Sequence, residues 1–276
     1  MQGMEMMDVN RTDGRGRGAE GGNLVTALAR GLQILRAFGP GDEFLGNAEL
    51  SRRTGIPRPT ISRLTSTLTT LGYLRYSDRM EKYQLGPGVL ALGFRFLASM
   101  SIRDIARPFM QKLADDTDCL VALGTEDGEY MTYIETCHGS GPLVVRMEVG
   151  SRIPVTTSAI GRAYVAGLPE ERRNRYLELL RRRLGDAGWA EKKAFLDTGL
   201  TQYRDWGYCV ALGDWERDVH GVAVPLILPD GEIMALNCGG LAQRLTDRVI
   251  HEHLGPRLAE MGHRIATQAG ADARTV

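Results

Sequence analysis

Apolar positions first become periodic at Leu24, after which Leu28, Leu32 and Leu35 recur at helical spacing. The pattern stops at Gly39-Pro40, where a helix loses a donor and its allowed backbone. Ala48 to Thr54 reads as a second, two-turn helix, capped by Asn47 or Gly46 and closed by Gly55, which tolerates a left-handed turn. Pro57 suits the first turn of a third helix, along which Ile61, Leu64, Leu68 and Leu71 form one apolar stripe ending at Gly72. Tyr73 to Tyr76 and Lys82 to Leu85 are strand-like runs flanking the polar Ser77 to Glu81, a hairpin with a charged tip. Three helices running straight into a hairpin predict a winged helix-turn-helix.

Beyond Gly86-Pro87-Gly88, the residues Val89, Leu90, Leu92, Phe94, Phe96 and Leu97 predict a linker helix with an apolar face suited to an interface. Next come a helix around Ile105 to Thr117 and strand-like runs at Leu120–Gly124, Met131–Thr136 and Leu143–Val149. Val222–Leu228 and Ile233–Asn237 flank the turn Pro229 to Glu232. Helical patterns cover Ala159–Leu168, Glu170–Leu184 and Ala190–Trp206, with a last helix from Thr246. Strands joined as hairpins, with helices between and after, predict an antiparallel sheet flanked by helices and an α+β class. The expected division is a disordered tail at 1–23, the winged helix-turn-helix at 24–86, the linker helix at 87–104 and a second domain at 105–270.

Composition changes this picture only in places. A chain of 276 residues suits two domains, and 43% apolar with 25% charged residues is ordinary for a globular protein. Its longest apolar runs fall far short of the ~20 residues that span a bilayer. The first residues carry glycines between charges instead of a signal peptide's apolar stretch, so a cytoplasmic protein is expected. The four cysteines, Cys119, Cys137, Cys209 and Cys238, are widely spaced and form no C-x-x-C pair, which argues against a zinc knuckle or disulfide framework. The formal net charge of zero hides an asymmetry: Asn47 to Tyr83 holds seven basic and three acidic side chains, an excess of four. Nucleic-acid binding needs such a local basic surface, whatever the total.

If the apolar stripe of the third helix faces its domain, Arg58, Pro59, Ser62, Arg63 and Ser66 turn outward. Side chains at the start of such a helix reach base edges in the major groove, arginine pairing bidentately with guanine. Arg75, Arg79 and Lys82 of the hairpin would lie along the DNA backbone or minor groove. Thr60 points inward, and Tyr76 and Tyr83 pack the hairpin. The run Arg181 to Arg183 reads as the solvated side of a helix. In the second domain, the hydroxyls and amides at Thr156–Gly161 open a helix, where they can hold a carboxylate or simply cap it through Thr157 or Ser158.

No G-x-x-x-x-G-K-[ST], G-x-S-x-G or H-E-x-x-H motif occurs, so no catalytic residue is expected. Cys137-His138, Cys209, His220 and Cys238 lack the local spacing of a metal site, and His251-Glu252-His253 reads as surface, so no metal or cofactor is expected. The competing reading from another class is a small-molecule-binding enzyme with an accessory winged helix.

Gly55-Ile56-Pro57-Arg58-Pro59-Thr60-Ile61-Ser62-Arg63-Leu64, then Leu71-Gly72-Tyr73-Leu74 and Tyr83-Gln84-Leu85-Gly86, resemble the recognition helix and wing of the IclR family of transcription regulators. Ala106-Arg107-Pro108, Gly150-Ser151-Arg152-Ile153-Pro154 and Ser158-Ala159-Ile160-Gly161-Arg162-Ala163 resemble that family's effector-binding domain, a fold related to GAF domains. The resemblance implies a regulator whose operator binding responds to a small organic or aromatic acid, with double-stranded DNA as partner. With the apolar linker helix, it implies a homodimer or homotetramer. It places the effector against Ser158, Ala159 and Ile160; Asp214, Glu216, Val219 and Gly221; and Leu236 and Cys238, with Trp215 and His220 as further candidates. Asn47 and Pro59 depart from the family's usual apolar and small residues. The segment Gly213 to His220 lacks its glycine-led pattern, and Leu236 and Cys238 replace residues that are often hydroxyl-bearing.

Overall fold

The computed structural model describes residues 24–39, 41–141 and 147–272. The tail at 1–23 and residues 143–146 of the expected strand lie outside the described residues. The chain forms two compact units, divided between Ser99 and Met100.

The first unit contains α1 (Thr26–Arg36), α2 (Asn47–Thr54), α3 (Arg58–Thr70), the antiparallel strands β1 (Leu74–Ser77) and β2 (Lys82–Leu85), and α4 (Pro87–Ala98). Ile34, Leu45, Leu50, Ile61 and Leu74 make its core, and the backbone of Leu45 pairs with that of Tyr83 to tie the wing to the helices. α2 stops at Gly55, whose φ of 69° is left-handed, a conformation glycine adopts without steric cost. Two expectations change here. Leu28 and Leu32 are exposed and the buried side of α1 is Gly31 and Ile34, because residues four apart drift about 40° around a helix at each step. Leu71 is also exposed: α3 ends at Thr70, and the inner face is Ile61, Thr65 and Leu68. The Thr65 hydroxyl is buried but donates to the Ile61 carbonyl at 3.0 Å, so no polar atom is stranded there.

The second unit is a six-stranded sheet in the order β5-β4-β3-β8-β7-β6, every neighbour antiparallel. Its strands are β3 (Leu120–Asp127), β4 (Tyr130–His138), β5 (Arg152–Pro154), β6 (Cys209–Leu212), β7 (Val219–Ile227) and β8 (Ile233–Leu241). Met147–Val149, the described end of the strand expected at 143–149, forms no strand, and the short β5 and β6 were not anticipated. α6 (Ala159–Gly167) packs on one face of the sheet, α8 (Asp186–Trp206) packs on α6, and α7 (Glu170–Leu184) packs on α8. The other face carries α5 (Ile102–Thr117) and α10 (Gly255–Asp272), the latter entered through α9 (Asp247–Val249) and a π-helical turn at Ile250–Leu254. The linker helix expected at 87–104 is therefore α4 alone, with Ile102 to Asp104 opening α5.

A bulge in β4 decides which residues reach which face. Leu123 pairs with Glu135 but Gly124 pairs with Tyr133, so Ile134 is the extra residue and alternation reverses across it. Tyr133 thus joins the α6 side of the core, whereas Glu135 turns to α5 and meets Arg103 at 2.9 Å and Arg107 at 2.5 Å.

Candidate functional site

On α3, Arg58, Pro59, Ser62, Arg63 and Ser66 are all exposed, opposite Ile61, Thr65 and Leu68. Pro57 is the N-cap, its carbonyl accepting from the Thr60 and Ile61 amides at 2.9 and 3.0 Å. Pro59 sits in the first turn, where its missing N–H costs nothing. Thr60 is half-buried. In the wing, Arg75 and Arg79 are exposed, Lys82 lays its stem toward Gly46, and the Tyr76 and Tyr83 rings pack with centroids 4.9 Å apart and planes tilted by 54°. Among the described residues, Arg58, Arg63, Arg75, Arg79 and Lys82 have no carboxylate partner, whereas Arg53 in the same unit pairs with Asp42 and Glu49. Uncommitted cations on a convex helix and wing can contact phosphates without first breaking an ion pair. The arginines of α7 contrast with them: Arg175, Arg181 and Arg182 pair with Glu171, Asp186 and Glu178, as a solvated face does.

In the second unit, a cavity of about 30 Å³ lies between the sheet and the start of α6, room for a water or two. Its floor is one row across four strands: Leu120 pairs with Gly239, Gly239 with Gly221, and Gly221 with Ala211. Ala159 lies above this row, its Cβ 3.6 Å from where a Gly221 side chain would begin. Ser158 caps α6, its hydroxyl accepting from the Gly161 amide at 3.2 Å and donating to the Pro154 carbonyl at 2.6 Å. The amides of Ala159 and Ile160 remain without intrahelical acceptors, as at any helix start. Tyr133 and Asn237 join Ser158 as buried polar side chains at the wall, and burial pushes the Tyr133 phenol up, with Asn237 opposing it. Met147 and Trp215, both half-buried, form the rim.

A model of the bacterial transcriptional regulator IclR C-terminal domain matches residues 94–267, and a model of the IclR helix-turn-helix domain matches residues 27–78. The chain belongs to the IclR family. It is 34% identical over 244 residues to the HTH-type transcriptional regulator TsaQ1/TsaQ2 of Comamonas testosteroni, covering 87% of each chain. An IclR family transcriptional regulator from Brucella abortus has the same fold with a TM-score of 0.81 and 41% identity, over 91% of this chain and 96% of that one. An IclR homologue from Microbacterium hydrocarbonoxydans, complexed with 4-hydroxybenzoate, shares the fold with a TM-score of 0.68 at 23% identity, over 89% of this chain and 99% of that one. As an IclR regulator the chain binds DNA through its winged helix-turn-helix, and a small-molecule effector modulates that binding; it is not an enzyme. No described helix is long and apolar enough to cross a membrane.

Of the effector residues that the IclR resemblance implies, Ser158, Ala159, Ile160, Val219 and Gly221 line the cavity, as do Trp215 and His220. The Nδ1–H of His220 donates to the Leu245 carbonyl at 2.7 Å. Leu236 and Cys238 do not line it. They point to the opposite face, Leu236 toward α10 beside Gly262 and Cys238 against Cys119, while their neighbours Asn237 and Gly239 face the cavity. Strand side chains alternate, so a displacement of one residue exchanges faces. Asp214 is committed elsewhere: its carboxylate takes Nη2 of Arg162 at 2.8 Å. Glu216 is half-buried outside the lining, its carbonyl turning the backbone through the Val219 amide at 2.9 Å.

Arg162, overlooked in the sequence, is 2% exposed in the second turn of α6. Its Nη1 donates to the Val210 carbonyl at 2.7 Å and its guanidinium lies 5.0 Å from the Phe195 ring. One side chain thereby joins α6, β6, α8 and the turn that carries Trp215 to the rim. A lone arginine within Ala159-Ile160-Gly161-Arg162-Ala163-Tyr164-Val165 was the available signal, since a charge in so apolar a helix must be paired. The cysteines are buried, and burial raises the Cys137 and Cys209 thiols to about 11 and about 12. Among the described residues no group of three His, Cys, Asp or Glu side chains could hold a metal.

Proposed function

We propose that the outward face of α3, Arg58, Pro59, Ser62, Arg63 and Ser66, reads the operator while Arg75, Arg79 and Lys82 hold its backbone, and that the cavity under α6 takes the effector, an organic or aromatic acid. The observation that carries the effector reading is the convergence of two uncapped helix-start amides with an apolar, glycine-floored cavity. Helix-start amides favour a carboxylate, and the smooth floor suits a flat apolar body. The same fold holds 4-hydroxybenzoate in the Microbacterium protein, which makes aromatic acids the first probes. The small volume means that an acid must displace the rim at Met147 and Trp215, and such a rearrangement is how differential affinity reaches the operator.

A second copy of the chain is the proposed partner of the apolar side chains exposed on α1 and α4, among them Leu28, Leu32, Leu90 and Phe94. The assembly is then a homodimer, or a tetramer if the second units also pair, and two recognition helices read an inverted repeat. A monomer in sedimentation at micromolar concentration would refute it. The expected location is the cytoplasm.

Ala159→Leu tests the site. A leucine would fill the space above Gly221, so acid response should vanish while operator affinity stays within about 1 kcal/mol, as for distant independent sites. Titration calorimetry and gel shifts on that variant read both; unchanged acid affinity would place the effector elsewhere.

A further inference from the structure

The Glu135 side chain is 4% exposed, and its two oxygens take different arginines of α5, Oε2 from Arg103 at 2.9 Å and Oε1 from Arg107. Arg103 and Arg107 lie one turn apart, so the pair fixes the first turn of the helix against β4, beside the buried Ile102 and Ala106. Pro108 follows directly and has no N–H to give the Asp104 carbonyl. An interior proline is where a helix bends, so this first turn is joined loosely to the rest of α5 and firmly to the sheet. Two residues before Glu135, Tyr133 lines the cavity on the other face, because the bulge at Ile134 sends the two to opposite sides. The chain enters the second unit at Met100, just ahead of this turn.

Resting on the reading of this cavity as the effector site, we infer that Glu135 is the positioning residue through which an acid in the cavity acts on the operator. Displacement of Tyr133 shifts β4 at the bulge, Glu135 carries Arg103 and Arg107 with it, and the first turn of α5 pivots at Pro108, where the chain leaves for the DNA-binding unit. The ion pairs transmit the shift because parting a buried carboxylate from its partners costs more than moving them together. Glu135 belongs to neither proposed contact surface, so its loss should remove the coupling between the two sites rather than either affinity.

Calorimetry of the full-length protein with benzoate, 4-hydroxybenzoate and phenylacetate, beside gel shifts with and without saturating acid on a duplex selected from random sequence by the wild-type protein, tests this. In the wild-type protein at least one acid is expected to bind and to change operator affinity by roughly 5–150-fold, the ordinary range of coupling between sites. In Glu135→Gln, which keeps the size but not the charge, that acid should bind within about threefold of wild type while the operator change falls below about twofold. Arg107→Gln, at an exposed position, should lose most of the change and Arg107→Lys should keep it, a pattern that a general loss of stability would not produce. An operator change that survives Glu135→Gln overturns the inference; if that variant fails to fold, a change that survives Arg107→Gln does so. An acid that binds the wild-type protein without changing operator affinity also overturns it. Binding of none of the three acids overturns the acid reading of the cavity, and this inference with it.

Discussion

In the first unit, Arg58, Ser62 and Ser66 stand one helical turn apart on a single continuous segment, exposed and facing away from a core of Ile61, Thr65 and Leu68. In the second, the residues around the cavity come from all six strands, the start of α6 and the segments carrying Met147 and Trp215, and most are buried. The contrast follows from what each surface is proposed to recognise. A DNA duplex is large and charged, so a convex face of uncommitted cations suffices. A small acid must be enclosed, which takes side chains from remote segments and removes their polar atoms from water.

The sharpest attempt to break this contrast concerns the two faces of β8. Leu236→Ala should cost about 2–5 kcal/mol of stability in the second unit, as for other deletions of a fully buried leucine, and leave acid affinity within about twofold because the side chain faces α10. Chemical denaturation followed beside titration calorimetry reads the two quantities. Loss of acid binding without loss of stability would mean that Leu236, not Asn237, faces the cavity.

That strand also explains where the sequence stops being legible. The winged helix can be read because helical periodicity separates an apolar from a polar face, and because Gly55, Pro57 and Gly72 punctuate it. The start of α6 can be read because Ser158 and Gly161 sit where a cap and a close approach require them; a Cβ at Gly161 would lie 2.1 Å from the Val155 carbonyl oxygen. From Ile233 to Gly240, however, every residue is buried, so no alternation of apolar and polar residues marks the two faces. The bulge at Ile134 is equally silent in the sequence, although it alone sends Tyr133 to the cavity and Glu135 to α5.

Asp214→Asn sharpens the contrast from the other side, since it removes the carboxylate that pairs with the nearly inaccessible Arg162 guanidinium beside the rim. Leaving a buried charge unpaired typically costs ~3–5 kcal/mol; with Asp214 itself 27% exposed, about 2–3 kcal/mol is expected. Trp215 should respond through its fluorescence because the same turn carries it. A stable variant with an unaltered tryptophan spectrum would show that Arg162 does not hold the rim.

The first unit is tested by Arg63→Ala and Lys82→Ala. Arg63→Ala should weaken specific operator binding by ~1–3 kcal/mol if it makes a bidentate base contact. Lys82→Ala should lower affinity for all sequences alike and flatten the salt dependence. Footprinting and salt titrations separate these outcomes, and unchanged footprints in both variants would remove α3 and the wing from the interface.

The smallest expected effect lies behind the reading head, where Arg53 of α2 donates to the Ala37 carbonyl at 3.0 Å, to Asp42 through both terminal nitrogens and to Glu49 at 2.8 Å. This arginine secures α2 to the loop after α1, and its hydrogen bond to Asp42 holds that carboxyl below its ordinary value of 3.8 despite partial burial, with the Gly39 amide assisting. A carboxylate whose folded value is depressed stabilises the fold fully above its unfolded value, and the contribution fades as pH falls through the folded one. Since both partners touch solvent, about 1 kcal/mol is the expected size. Asp42→Asn should therefore lower the melting temperature of the first unit at pH 7, with the difference from wild type constant down to pH 3.8 and shrinking below it. Operator footprints should not change, because Arg53 supports α2 while the contacts are proposed for α3. A difference that grows on acidification would show that the pair does not supply this stability.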